Sequence, residues 1–147
     1  MQDSSQQRYQ TMPEAMTPDT EQLMNDYLAL RNGDLSKLDV LSDSFTFYHP
    51  LGEWHGPDAL VEAQRESQNS LTESELEVHD VLVGEDVAMW EWTLSGTHEG
   101  EWQGIPPTGR RISFTGMSKT VMADGKVQEN YAYFDSRDLL DQLGASE

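Results

Sequence analysis

Asp135 closes an aromatic run, Tyr131-Ala-Tyr133-Phe134, and is the carboxylate with the most chemistry in reach. Desolvated among rings, a carboxyl group has its pKa raised toward the working pH, where it can take and return a proton. The sequence Asp135-Ser136-Arg137-Asp138 also suits a helix start, where the same carboxylate would accept backbone N–H bonds beside the positive dipole end and its pKa would fall. Ser136 can cap instead if Asp135 turns inward, so both roles stand open. Tyr48, Tyr131 and Tyr133 are candidate donors to an oxyanion developing on a substrate.

The histidines His49, His55, His79 and His98 lack the His-x-His or His-x3-His spacing by which one element presents two metal ligands, and no metal site is expected. His49 follows an aromatic strand and is a pocket candidate; its alternative is an imidazole hydrogen-bonded beside Pro50. His98 is expected to order the long loop after it. Trp90 and Trp92 share one face at period two, as pocket wall, core or dimer interface. Trp102 stands in the loop, either as a lid over a pocket mouth or packed on a partner subunit. Met117 joins these as a pocket candidate. Glu73, Glu75 and Glu77 read as solvated surface. Cysteine is absent, which removes disulfides and thiolate nucleophiles.

The elements that must position these groups are legible from period and punctuation. Residues 1 to 16 read as a flexible lead-in, and 17 to 147 as a single domain. Thr17-Pro18 opens a helix whose stripe is Leu23, Met24, Tyr27, Leu28 and Leu30, stopped by Asn32-Gly33. A short helix is expected over Leu35 to Leu41, a strand over Ser44 to His49, and a helix from Gly56-Pro57-Asp58 to about Ser70. Period two then marks strands over Glu75–Val83, Val87–Gly96, Arg111–Met122 and Lys126–Phe134. Asp124-Gly125 is a two-residue hairpin turn. Within Arg111–Met122, Ile112 and Phe114 hold one parity and Met117 and Val121 the other, which predicts a β-bulge at Gly116. Gly144 ends a last short helix. Helices followed by an antiparallel meander make an α+β order.

The chain carries 27 Asp and Glu against 9 Lys and Arg, a net charge of −18. Such a surface argues against nucleic acid and anionic membranes, whose binding draws on clustered basic residues. Its spread along the chain points to a protein adapted to high salt. Without a signal-peptide core or a spanning apolar run, a cytoplasmic location is expected.

The segments Trp92-Thr-Leu-Ser-Gly-Thr-His98-Glu-Gly100, Gly104-Ile-Pro-Pro-Thr-Gly109-Arg110, Asp124-Gly-Lys-Val127 and Asp135 with Gln142-Leu-Gly144 resemble the SnoaL-like polyketide cyclase family of the NTF2-like fold. The resemblance runs from about Thr17 to Gly144. It implies a cone-shaped fold, a curved antiparallel sheet wrapped around helices, with a homodimer and an apolar pocket. It also implies cofactor-free intramolecular aldol cyclisation with Asp135 as general acid/base, and Tyr27 at the substrate. Where the cyclases support their aspartate with a histidine on the neighbouring strand, Lys119 to Val121 offers none. Two functions follow: a cyclase or isomerase acting on a small apolar oxygenated molecule, and a non-catalytic ligand-binding or association module of the same fold.

Overall fold

A computed structural model describes residues 18–144; the lead-in and the Thr17 cap lie outside them. Helix α1 (Pro18–Arg31) buries Met24, Tyr27 and Leu30, three residues apart and therefore on one face. It stops where Gly33 takes φ 110° and the N–H groups of Gly33 and Asp34 turn back to Leu30 and Ala29. Asp34 then accepts from Ser36 N at 3.1 Å and caps a 3-10 helix, Leu35–Val40. Strand β1 (Leu41–His49) turns through Pro50 into β2 (Gly52–His55), a strand beyond the expected set because four residues are too few to show a period. Helix α2 (Pro57–Ser70) begins with proline in its first turn.

The meander follows as β3 (Leu71–Val83), β4 (Val87–His98), β5 (Arg111–Ala123) and β6 (Lys126–Phe134), and α3 (Ser136–Leu143) comes last. Asp124 and Gly125 both adopt positive φ, 56° and 73°, and make the tight turn between β5 and β6. The strands form one six-stranded, unclosed sheet in the order β2-β1-β6-β5-β4-β3. Only the β1–β6 pair is parallel among the described strands. This is the α+β architecture expected. Among the described residues no helix is long and apolar enough to cross a membrane.

The bend of the sheet does not come from Gly116. β5 pairs with β4 without a register shift from Arg111 to Val121, so the expected bulge is absent. The shifts lie in β3, between Thr72 and Glu75 and between Val78 and Asp80, on the β5–β6 pair between Val121 and Met122, and on the β1–β6 pair between Leu41 and Thr46. Extra residues at these places bend the strand and increase its twist; in β3 they also blunt an edge. One parity of β5 faces inward throughout: Ile112, Phe114, Gly116, Ser118, Thr120 and Met122 are buried.

Polar Ser118 and Thr120 occupy inward positions because the indoles of β4 need acceptors there. Trp92 Nε1 donates to Ser118 Oγ at 2.9 Å, and Trp90 Nε1 donates to Thr120 Oγ1 at 3.0 Å. Thr120 in turn donates its own O–H to Asn130 Oδ1 at 2.6 Å. Met117 and Val121, whose apolar character suggested a change of face, point outward.

Gly116 is required by contact rather than by conformation. A Cβ there would stand 2.5 Å from Trp92 Cζ2 and 2.6 Å from the Tyr133 carbonyl oxygen. Gly116→Ala should therefore cost about 1–3 kcal/mol, as overpacking does. Denaturant melts followed by tryptophan fluorescence measure it, and an unchanged midpoint would mean the indole can move aside freely.

Candidate functional site

A cavity of about 450 Å³ lies between the C-terminal end of α1, helix α2 and the inner face of the sheet. The protein's four tryptophans, Trp54, Trp90, Trp92 and Trp102, all line it, with Phe47, Phe114 and Phe134. The rings meet mostly at an angle: Trp92 stands edge-on to Phe114 and to Phe134, with centroids 5.7 and 6.1 Å apart. This wall is stiff, because large rings packed this way leave little rotamer freedom.

At one part of the wall the chemistry turns polar. Arg31, the last residue of α1, donates Nε–H to Gln64 Oε1 of α2 at 2.8 Å and Nη1–H to the Tyr27 hydroxyl at 3.1 Å. Its guanidinium lies 4.7 Å from the centre of the Phe47 ring, a cation–π contact. His49 lines the same cavity, 4.4 Å from the centre of the Trp54 ring. Its Nδ1 accepts the Leu51 N–H at 3.0 Å, a bond made by the turn at Pro50. A neutral ring with Nδ1 so engaged carries its proton on Nε2 and is a donor there. Burial first, and then the Arg31 charge, push the His49 pKa down to about 4. Glu66 and Glu75 also line the cavity and are exposed, so they belong to its rim.

The sequence candidates divide between the two faces of the sheet. His49, Trp90, Trp92 and Trp102 line the cavity; Trp102 is held there by paired backbone bonds with Ile105 and is 8% exposed. Tyr27 is fully buried behind the wall, where it holds Arg31. Tyr48, Met117, Tyr131 and Tyr133 stand outside the cavity, because their parity on β1, β5 and β6 is outward. Tyr48 stacks on Tyr131 at 4.8 Å, and Met117 and Tyr133, cross-strand partners, are 47% and 58% exposed. Tyr131 donates to Glu129 at 2.9 Å; that bond first, then desolvation and the neighbouring Glu129, Tyr48 and Tyr133 charges, raise its pKa to about 12.

Asp135 is likewise outside: it is exposed and its Oδ1 accepts Asp138 N–H at 3.0 Å as the N-cap of α3. The backbone of a helix start reached it before the cavity did. His98, fully buried, orders its loop by accepting Thr108 N–H at Nδ1, and it also contacts Thr108 Oγ1 at 2.9 Å. Among the described residues no group of His, Asp and Glu is arranged to hold a metal ion.

Arg31, Gln64, Trp54 and Phe47 are absent from the sequence candidates. An arginine in the last turn of a helix reads as complementing the helix dipole. The signal available was its rarity, since basic residues number 9 in this chain.

The model of the SnoaL-like polyketide cyclase family matches residues 20–143. The chain belongs to that family. It is similar to TsrD from Streptomyces laurentii at 30% identity and TM-score 0.74, over 88% of this chain and 98% of that one. AclR of Streptomyces galilaeus, a proposed hydroxylase, is 27% identical with TM-score 0.70 over 88% and 98%. A proposed SnoaL-like polyketide cyclase of Jannaschia sp. CCS1 is 19% identical over 88% and 96%, with TM-score 0.77, and shows the shared fold. Among curated proteins none matches.

The depressed His49 pKa has a consequence for stability. Unfolded, the imidazole returns to its ordinary value near 6.5. Between that value and about 4 the unfolded chain binds a proton that the folded chain does not, so the His49 contribution is whole above pH 6.5 and is lost as pH falls. Relief of repulsion among carboxylates acts the opposite way, and His49→Gln separates the two. From pH 7 to pH 5 the wild type should lose roughly 1–2 kcal/mol more than His49→Gln, a figure reduced for partial solvent access. Urea melts at the two pH values check it; parallel changes would place a charged imidazole in the fold.

Proposed function

We propose that this SnoaL-like chain performs cofactor-free acid/base chemistry, an intramolecular aldol cyclisation or isomerisation, on a small apolar oxygenated molecule held in the cavity. One observation carries the reading: a guanidinium and a neutral imidazole share the wall of a chamber that four tryptophans and three phenylalanines also line. Removing a proton from carbon next to a carbonyl leaves an oxyanion, and Arg31 with the His49 Nε2–H are donors suited to receive it. Away from bulk water such donors are worth more than in it. The proton passes to a rim carboxylate, Glu66 or Glu75, since Asp135 is committed to its helix. The enolate carbon attacks a second carbonyl of the same molecule, and the resulting alkoxide takes the proton back.

An aromatic β-diketone with a pendant ketone should be converted without added metal or cofactor, the product having unchanged mass. Arg31→Gln and His49→Gln should each lower kcat/KM by about 100-fold or more, the worth of an oxyanion donor. Conversion that survives both replacements in folded protein rules the reading out. The Asp135 cap favours the second reading, a non-catalytic binding module; there the same molecule binds and returns unchanged.

We further propose a homodimer closed through the outer sheet face. Leu82, Met89, Met117 and Tyr133 are exposed on it, beside the Tyr48–Tyr131 stack over which Lys119 lies 4.8 Å from the Tyr131 ring centre. So apolar a face is costly in water. The same proposal keeps the protein in a cytoplasm at high salt, on the strength of its acidic composition. Light scattering in molar KCl should give twice the 16.6 kDa chain mass, and a monomer at all concentrations refutes the dimer.

A further inference from the structure

Among the described residues Arg31 is a cation without an ion-pair partner, in a protein crowded with anions. Of the ion pairs among the described residues, Lys37 takes Asp26, Arg65 takes Glu62 and Arg137 takes Asp141, whereas none involves Arg31. Its hydrogen bonds go to an amide and a phenol, both neutral. Its other neighbour in the cavity wall, His49, is uncharged at neutral pH. With 27 carboxylates in the chain, an ion pair would have been the ordinary way to balance a half-buried guanidinium. Instead Nε and Nη1 are used to hold the fork in place, which leaves the Nη2 group without a hydrogen bond among the described residues and the positive charge unmatched at the cavity wall.

We infer that the cavity takes its ligand as an anion, an aromatic molecule whose planar oxyanion, a carboxylate or an ionised 1,3-dicarbonyl, lies against Arg31. A guanidinium pairs with a charge shared over two coplanar oxygens in a way that no ammonium can match. Glu66 and Glu75 at the rim repel that end of the ligand, so the bound molecule keeps its anion on Arg31 and its neutral part toward the rim. The inference rests on the cavity being the functional site, and it adds that the negative charge is present before any chemistry begins. For an ionised 1,3-dicarbonyl, the bound anion is already the carbon nucleophile, and no strong base is then needed in the chamber.

The four tryptophans of the wall report occupancy directly by fluorescence. The probes are 2-naphthoate, its neutral methyl ester, and 1-(2-naphthyl)butane-1,3-dione, titrated in molar KCl, where through-solvent repulsion is screened to about 3 Å. One or both anions should prevail: 2-naphthoate binding at least tenfold tighter than the ester, or the diketone bound with the red-shifted absorption of its enolate. Which of them does so identifies the source of the oxyanion. Arg31→Gln should erase the preference and leave ester binding within about twofold, and Arg31→Lys should restore only part of it.

Should Arg31→Gln fail to fold by its melting curve, the acid-against-ester comparison in the wild type still decides. Ester bound as tightly as the acid, with the diketone bound neutral, overturns the anionic ligand and leaves the cavity reading standing. Quenching by none of the three overturns both.

Discussion

Two indole N–H groups on the concave face of the sheet organise what surrounds them. A buried indole N–H without an acceptor costs about as much as a lost hydrogen bond and its desolvation, 1–3 kcal/mol. Trp90 and Trp92 are satisfied only because β5 turns Thr120 and Ser118 inward, against what their polarity suggests. That choice fixes the facing of all of β5: it brings Phe114 and Gly116 in, clears room for the Trp92 ring over the glycine, and sends Met117 and Val121 out. The chamber and the apolar outer face are consequences of the same pairing.

The chamber's electrostatics rest on economy. Basic residues are few, yet one, the last residue of α1, has no ion pair among the described residues and is steadied by Tyr27 and Gln64. The same charge, added to burial, keeps His49 neutral. A neutral imidazole donor and a permanent cation thus share the polar part of the wall. The carboxylates stay at the rim or, like Asp135, at a helix start.

Family membership and this geometry contribute different things. The match over residues 20–143 places the chain in the SnoaL-like polyketide cyclase family, whose fold accounts for its sheet and its order of elements. Which side chains line the cavity is not dictated by the fold; here Arg31 and His49 do, whereas the strand-end Asp135 caps a helix.

The sequence by itself determined what depends on near neighbours along the chain. Asn32-Gly33 and Asp124-Gly125 stop or turn the backbone because glycine tolerates positive φ, proline at Pro57 opens a helix, and Lys126–Phe134 keeps its limits as a strand. His98 could be assigned to its loop because its partner is ten residues away. Tertiary structure alone decided which parity of β5 faces inward, since that turned on indoles from another strand. It decided that Tyr48, Tyr131 and Tyr133 look outward and that Asp135 serves a helix. It also brought Arg31 and His49, eighteen residues apart, onto one wall. A strand's period states that alternate residues share a face, and only the elements packed against it settle which face is the inside.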